Sequence, residues 1–437
     1  MDTTLSQPEV QKKKRTDHHL WGTYILLVIV AVIELFSASI QEVSDGSIFG
    51  PVIRHGGFII AGLLSMIGLQ HIHYRHIYRC IPAFVVLCIG LMFAVRIVGT
   101  EVNGAMRAIR IFGIPVLPAE FMKLGAALGM AWILTRNQVK GRRDVTRRGL
   151  IYCMAFMGIC CLLLFSQGLS NTIVVVCICY SMMLVGGMGW RKFGTALLIG
   201  VVAGALAIGL KTAVKENVQL TPQQERVIAL NKEGSVERAD GRGNVWRERV
   251  KQHFRGDKHL DKFSTEHQQE QLSYIAQAHG GLFGVGVGRS RENARLPLAF
   301  SDYIFAIIIE ELGLFVGLGI LIVYMWILGR SAKLTMRFKQ TMPGVLVMGC
   351  SFVIVFQALY HMAIVSGVFP VSGQPLPLIS KGGISVLATS LAFGVMLSVA
   401  RHAVRITDTQ AEQRDEQNIL PEDARSVNPA LSEVVQA

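Results

Sequence analysis

The sequence predicts an all-α polytopic membrane protein with about ten transmembrane helices and one large extracytoplasmic loop. Of its 437 residues, 51% are hydrophobic and only 17% are charged, whereas a soluble domain carries roughly 25% charged residues. The apolar residues are also gathered into blocks of about 20, which is the length that crosses a hydrocarbon core of roughly 30 Å. Both observations exclude an ordinary soluble enzyme.

The predicted helices correspond to ten apolar blocks that follow one another along the chain. The blocks cover residues 20–41, 54–71, 80–98, 114–135, 149–166, 170–189, 192–211, 299–329, 343–369 and 382–403. The polar start of the chain runs directly into a full-length block at Trp21, so no cleavable signal peptide is predicted. We expect a cytoplasmic N-terminal tail over residues 1–19, a transmembrane domain over 20–405 and a cytoplasmic C-terminal tail over 406–437.

The net charge of +13 is explained by membrane topology, and no nucleic-acid partner is expected. Basic residues cluster before the first block and after the second, fourth, sixth and eighth blocks, at residues 12–15, 75–79, 136–148, 191–192 and 330–339. Loops rich in lysine and arginine stay on the cytoplasmic side of a membrane. Both termini are therefore predicted in the cytoplasm, and the number of spans is predicted to be even.

The large extracytoplasmic loop is predicted between the seventh and eighth blocks, over residues 212–298, because ordinary connections are far shorter. Its first half mixes charges of both signs, and we expect much of it to be mobile. Its second half carries the candidate binding residues Gln269 and Ser273, followed by a glycine-rich stretch over 280–288. Such glycines allow tight turns and close approach to a ligand. This stretch is not a dinucleotide fingerprint, because it lacks a preceding strand and faces away from the cytoplasm.

Charged residues near the outer membrane face mark candidate functional positions, because charge is costly there. Arg107 and Arg110 lie in a short outer loop between the third and fourth blocks, against the usual charge bias. An anionic ligand such as a lipid phosphate would favour them, and a solvated loop is the alternative. Glu120 and Lys123 follow at an i,i+3 spacing that permits an ion pair, with a structural and a functional role both open.

Three carboxylates lie near the outer end of the eighth block: Asp302, Glu310 and Glu311. On one continuous helix, residues 302 and 310 would be offset by about 80°, so both side chains could border one cavity. A carboxyl group near a lipid boundary can have a raised pKa and act as a general base. Acids within membranes also serve as ion or proton ligands in transporters, so the residues alone leave both roles open.

The stretch over residues 367–383 places three prolines and four glycines at membrane depth. Irregular backbone is tolerated there only where it lines a cavity walled by protein. Lys381 in this stretch is a candidate phosphate contact, and Ser380 beside it is a further candidate binding residue. Together these segments predict a polar outer cavity whose occupant is an anionic lipid.

Several of these segments resemble motifs of the SEDS family of bacterial cell-wall polymerases, over residues 20–405. The similar segments stand in the family's order: Phe36-Ser37-Ala38-Ser39, Asn103-Gly104-Ala105-Met106-Arg107, residues 118–123, the glycine-rich stretch, residues 301–306 with 310–313, and residues 370–383. The resemblance implies a glycosyltransferase that polymerises lipid II. In that reaction the 4-hydroxyl of one sugar attacks the anomeric carbon of another, and undecaprenyl diphosphate leaves.

The resemblance also implies residue roles and partners. Asp302 would be the general base. Phosphate or substrate would be contacted by Arg107, Arg110 and Lys381, and the cavity would be shaped by Glu120 and Lys123. The substrate site would be completed by Gln269, Ser273, Glu310 and Ser380. The implied partners are lipid II, the nascent glycan strand, membrane lipid, a class B penicillin-binding protein and other divisome or elongasome membrane proteins. No ligand cluster demands a metal, and a divalent cation such as magnesium or manganese is compatible with a diphosphate.

The chain departs from the family pattern at five positions. Ala108 replaces a usual Trp, Gly168 an Asp, His361 an Asn, Lys381 a Tyr and Ile384 a Ser. Asp302 is kept, which favours an active enzyme over a scaffold that has lost catalysis. Ser301 before it favours the division branch over the elongation branch. A lipid II flippase is the alternative from another class, but the unusual polar groups crowd the outer side, which favours an enzyme acting after translocation.

Overall fold

A computed structural model describes residues 16–41, 49–102, 105–111, 114–139, 144–165, 167–216, 268–293, 295–296, 299–338 and 340–403. Seven long helices come first: α1 (His18–Gln41), α2 (Phe49–His71), α3 (Tyr74–Val98), α4 (Pro118–Arg136), α5 (Arg147–Phe165), α6 (Leu169–Val185) and α7 (Trp190–Glu216). Three short helices follow: α8 (Gln268–Gly280), α9 (Ala299–Asp302) and α10 (Ile304–Leu312). The last three are long: α11 (Leu314–Arg337), α12 (Thr341–Val365) and α13 (Gly383–His402). Most of both predicted tails, and residues 217–267 of the large loop, lie outside the described residues.

The prediction of a polytopic helical membrane protein is confirmed. Among the described helices, α1, α3, α5, α11, α12 and α13 are long and apolar enough to cross a membrane, and α6 is a shorter apolar helix. Large apolar side chains such as Ile97, Leu162 and Ile322 are exposed on the bundle surface, as expected for a surface that lipid covers. Each of the ten predicted blocks overlaps one of the long helices.

The interior of the bundle is built on α4 and α12, whose side chains are buried along most of their length. Small residues on α4 let neighbouring helices approach closely, as is usual for helix packing in membranes. A Cβ added at Gly125 would lie 3.3 Å from the Cys88 sulfur of α3, and one at Gly129 would lie 2.5 Å from the Phe156 ring of α5. This packing fixes the first two turns of α4, which carry Glu120 and Lys123.

A small antiparallel sheet stands where a plain outer loop was expected between the third and fourth blocks. Its strands are β1 (Thr100–Val102), β2 (Ala105–Ile111) and β3 (Ile114–Val116), with β2 in the centre. The β-branched residues Ile109 and Ile111 suit a strand. The prediction that the fourth helix begins near 114 is wrong, because Pro118 opens α4, where its missing N–H leaves no helical hydrogen bond unmade.

The eighth predicted block, residues 299–329, is not one helix, and this part of the prediction is wrong. α9 ends at Asp302, and α11 begins only after Gly313. Gly313 has φ 89° and ψ 166°, a backbone conformation that essentially only glycine adopts. The angular argument that placed Asp302 and Glu310 on one continuous helix therefore fails, and the two side chains have different neighbours.

Candidate active site

Asp302 is the last residue of α9, where the helix breaks before Tyr303. The Ser301 hydroxyl donates a hydrogen bond of 2.8 Å to the Asp302 Oδ1, and the Asp302 side chain is part-buried. Burial raises the pKa of the Asp302 carboxyl, while the Ser301 hydrogen bond and the charge of Arg107 lower it. A carboxyl group with a raised pKa and a cation beside it is suited to accept a proton from a hydroxyl nucleophile.

Residues 370–382, which we name the proline loop, pack directly onto Asp302. The backbone over 370–376 is neither helix nor strand, which agrees with the prediction of irregular backbone at this depth. A Cβ added at Gly373 would lie 2.8 Å from the Asp302 Oδ2. Any side chain at residue 373 would therefore displace the carboxyl group or the loop.

Ser380 joins the proline loop to α9. Its hydroxyl accepts a hydrogen bond of 2.7 Å from the Leu376 amide and donates one of 2.9 Å to the Ser301 carbonyl. The Lys381 amide donates a further hydrogen bond of 2.9 Å to the Phe300 carbonyl. Because Ser380 is only 1% exposed, its hydroxyl holds the loop against α9, and a structural role is favoured over contact with substrate.

A buried polar network supports the proline loop from the helix bundle. The predicted ion pair is confirmed: Lys123 Nζ lies 2.7 Å from Glu120 Oε1, with side chains 0% and 7% exposed. Lys123 also donates to the Gln374 side chain at 3.4 Å, and Gln357 donates to Glu120 at 3.2 Å and to the Pro375 carbonyl at 3.1 Å. A deeply buried ion pair needs additional hydrogen bonds to offset its desolvation. Here some come from the proline loop, so the pair positions that loop.

Two residues outside the predicted site complete this network. Asn171 of α6 accepts a hydrogen bond of 2.9 Å from the Gln374 side chain. His361 of α12 bonds to the Gln374 carbonyl at 2.6 Å through Nδ1, which must be the donor because a carbonyl only accepts. Gln357 and His361 lie one turn apart in a mostly apolar helix. Two polar residues at this spacing in a membrane helix indicate a buried polar contact, so the sequence could have predicted that these residues belong to the network.

Of the predicted cations, Arg107 is the one whose charge acts on Asp302. It lies on β2, and a Cβ added at Gly168, just before α6, would lie 3.8 Å from its Nη2. Arg110 is exposed and lies on the opposite face of β2, because successive side chains of a strand alternate. The Lys381 side chain is part-buried and interacts electrostatically with His55 of α2.

Of the candidate binding residues of α8, Ser273 lies in the part of that helix that packs against the end of α12. Ser273 is 1% exposed and its hydroxyl donates to the Val365 carbonyl at the end of α12, at 3.3 Å. Gln277, one turn later, donates to the same carbonyl at 2.9 Å. Gln269 is part-buried in the first turn of α8. These contacts tie α8 to α12, and a structural role is favoured for Ser273.

The glycine-rich stretch packs closely against the backbone at the end of α10. A Cβ added at Gly284 would lie 2.3 Å from the Glu311 carbonyl oxygen, and Gly284 has φ 80°. Glu310 is 0% exposed, and its carboxylate accepts a hydrogen bond of 2.5 Å from the Ser290 hydroxyl. Chain packing therefore explains these glycines without a ligand, and Glu310 holds this loop in place.

The fold defines a polytopic membrane protein. Its candidate site contains an aspartate and an arginine and is covered by the irregular backbone of the proline loop. A family model described as cell cycle protein, which groups FtsW, RodA and SpoVE, matches residues 17–242 and 246–405. The chain belongs to this family, the SEDS family, and the resemblance predicted from its motifs is confirmed.

Relatives of both functional branches resemble the chain. The probable peptidoglycan glycosyltransferase FtsW of Tolumonas auensis is 27% identical over 391 residues, which cover 88% of this chain and 91% of the relative. The peptidoglycan glycosyltransferase MrdB of Escherichia coli K12 is 26% identical over 387 residues, covering 88% and 94%. A chain from the solved structure of a peptidoglycan synthase complex matches with a TM-score of 0.64, at 24% identity, covering 88% of this chain and 98% of that one. That match supports the fold.

Proposed function

We propose that this protein is a peptidoglycan glycosyltransferase that polymerises lipid II into β-1,4 glycan strands at the outer face of the cytoplasmic membrane. One observation carries the proposal: the Asp302 carboxyl, whose pKa is raised by burial, lies against the proline loop and interacts with the charge of Arg107. A hydroxyl nucleophile needs a base, and a diphosphate leaving group needs a cation. Membership in the family and the names of its relatives support the same activity.

In the proposed reaction, Asp302 accepts the proton of the 4-hydroxyl of the acceptor sugar. The freed oxygen forms a bond to the anomeric carbon of the donor, while the bond from that carbon to the diphosphate oxygen breaks. Undecaprenyl diphosphate leaves with the electron pair, and Arg107 stabilises its negative charge. Arg110 and Lys381 are proposed as further contacts to phosphate or sugar. The Glu120–Lys123 pair acts indirectly, by fixing the proline loop.

We propose that both termini lie in the cytoplasm, as the alternation of basic loops indicates. The proposed partner is a class B penicillin-binding protein that crosslinks the new glycan, together with other divisome or elongasome membrane proteins. A solved peptidoglycan synthase complex that contains a chain of this fold supports such a partner. Ser301 before Asp302 favours septal synthesis during division over wall elongation.

The activity is tested by supplying lipid II to the purified protein with its penicillin-binding partner and measuring glycan polymer. Asp302→Asn is expected to lower the rate by at least about 100-fold, because a general base contributes at least that much. Asp144→Asn is the control: it also removes a carboxylate, but Asp144 pairs with Lys192 at 2.5 Å in another region. An undiminished rate in Asp302→Asn would contradict the base assignment.

The alternative functions give different outcomes. Lipid II that crosses vesicle membranes without forming polymer would instead support a flippase. Depletion of the protein in cells separates the two enzyme branches, because loss of division synthesis produces filaments and loss of elongation synthesis produces rounded cells. We expect filaments.

A further inference from the structure

A second group of buried acids lies where α1 meets α10. Glu34 of α1 and Glu311 of α10 are each 1% exposed. Ser37 donates a hydrogen bond of 2.5 Å to the Glu311 Oε1. Because residues three apart lie on one face of a helix, Glu34 is directed to the same side as Ser37, and it interacts electrostatically with Glu311.

The two carboxyl groups have unequal surroundings. The Glu311 Oε1 accepts the Ser37 hydroxyl, and the backbone amides of Gly288 and Ser290 also stabilise the charged form of Glu311. The Glu311 Oε2 has no hydrogen-bond partner among the described residues. Neither carboxyl oxygen of Glu34 has a hydrogen-bond partner among the residues that the structure describes. A charged carboxylate without donors is very unfavourable in a buried position. Glu311 is therefore the better holder of negative charge.

Among the charged side chains that the structure describes, none neutralises Glu34. On the α10 side, Glu310 adds further negative charge to Glu311, and His279 of α8 lies 3.8 Å from Glu310. α1 packs against α2, α11 and α13. On α2, His55 interacts with Lys381, and the side chain of Arg54 lies outside the part that the structure describes. The described cations of α11 and α13 lie in the last third of each helix: Arg330, Lys333, Arg337, Arg401 and His402.

Those cations lie at the far end of the bundle from Glu34. Arg330 pairs with Asp17 at 2.7 Å, at the start of α1. Asp17 precedes Glu34 by 17 residues, which is roughly 25 Å along a helix at 1.5 Å per residue. A cation at that distance does not compensate a buried carboxylate.

Two buried acids that interact cannot both be charged without a cation, and one of them then keeps its proton. We propose that Glu34 and Glu311 form a proton-binding site between α1 and α10, in which Glu34 holds one proton at neutral pH and Glu311 carries the negative charge. A proton fits this site better than a metal ion. Within the described part of the chain, no group of three or more His, Cys, Asp or Glu residues is arranged to hold a metal, and hard divalent cations take six or more oxygen ligands.

The proposal is tested by infrared spectroscopy on the purified full-length protein in lipid nanodiscs at pH 7. The carbonyl stretch of a protonated carboxyl group is separate from that of a carboxylate, so a buried protonated acid gives its own band. Glu34→Gln is expected to remove this band from the wild-type spectrum. Asp302→Asn is the matched control and is expected to keep it, which is required because burial also raises the pKa of Asp302. A band that persists unchanged in Glu34→Gln, or no such band in the wild type, overturns the proposal.

A second variant keeps the test decisive if Glu34→Gln does not fold. Glu311→Gln replaces the group beside Glu34 and removes its negative charge, so the band of Glu34 is expected to shift in frequency or to disappear as Glu34 ionises. A band that stays unchanged at the wild-type frequency would overturn the assignment. Magnesium or manganese is expected to leave the wild-type band unchanged. A band abolished by manganese, with bound manganese seen by electron paramagnetic resonance, would identify a metal site instead. These readouts need no lipid II, so their outcome is independent of the proposed polymerase activity.

Discussion

The reactivity of Asp302 depends on the side chains around its carboxyl group. Burial raises its pKa, and the Ser301 hydrogen bond and the Arg107 charge lower it. The carboxyl must be charged to accept a proton, so the polymerisation rate falls as pH falls through the pKa of Asp302. Since burial has the largest effect, we expect this acid limb at a higher pH than an exposed aspartate would give.

Replacing Arg107 tests how strongly its charge lowers the pKa of Asp302. Arg107→Gln removes the positive charge that favours the charged carboxylate, so the pKa of Asp302 should rise and the acid limb should move to higher pH. The measurement is the initial polymerisation rate against pH for the wild type, Arg107→Gln and Arg107→Lys. Arg107→Lys keeps the charge and should leave the limb near its wild-type position. A limb that stays fixed in Arg107→Gln while the maximal rate falls would show that Arg107 acts on substrate alone.

Single residues differ in how far the sequence predicts their contacts. Glu120 and Lys123 are three residues apart on one helix, so their spacing alone predicts the ion pair. The hydrogen bond between Gln374 and Asn171 joins residues 203 apart in sequence. No local pattern encodes that contact, because it depends on how α6, α12 and the proline loop pack together.

At the scale of elements, apolar blocks predicted the long helices but not the breaks within them. The segment from α9 to α11 is nearly continuously apolar, so hydropathy alone gives one long helix. Its interruption at Gly313 is specified by backbone conformation and by the loop packed against it: a Cβ added at Gly313 would lie 2.4 Å from the Leu282 carbonyl oxygen. The β1–β3 sheet was also missed, because its strands are short and carry charged residues.

Two glycines of the same loop allow the effect of close packing on stability to be compared with the effect of backbone strain. Gly281 has φ 54° and open space around an added Cβ, whereas Gly284 has φ 80° and meets the Glu311 carbonyl oxygen at 2.3 Å. Gly281→Ala should cost about 1 kcal/mol from the left-handed backbone, and Gly284→Ala about 1–3 kcal/mol more from the forced contact. Thermal unfolding of both variants in nanodiscs measures the difference. Equal melting temperatures would contradict this packing of the glycine-rich stretch on α10.

At the scale of the whole molecule, two ion pairs lie at the opposite ends of the long helices from the candidate active site. Asp17 pairs with Arg330 at 2.7 Å, and Asp144 pairs with Lys192 at 2.5 Å. Both pairs lie next to loops that the sequence predicts to be cytoplasmic, because those loops are basic. Asp302 and the proline loop lie at the other ends of the long helices: Asp302 precedes α11, and the proline loop connects α12 to α13. The charge pattern therefore predicts that the site lies on the outer side of the membrane, whereas it does not predict the geometry of the site.

Labelling of single cysteines tests this orientation. The Arg295 side chain, shortly after the glycine-rich stretch, is 70% exposed, and Arg75 is exposed in the first turn of α3. Cysteine at either position should therefore be accessible to a reagent on its own side. Cys80 and Cys177 are exposed in the bundle and should first be replaced by serine. If the site faces outward, a membrane-impermeant maleimide should label Arg295→Cys but not Arg75→Cys in intact spheroplasts, and both after permeabilisation. The reverse pattern would put Asp302 on the cytoplasmic side and would contradict a polymerase that works outside the membrane.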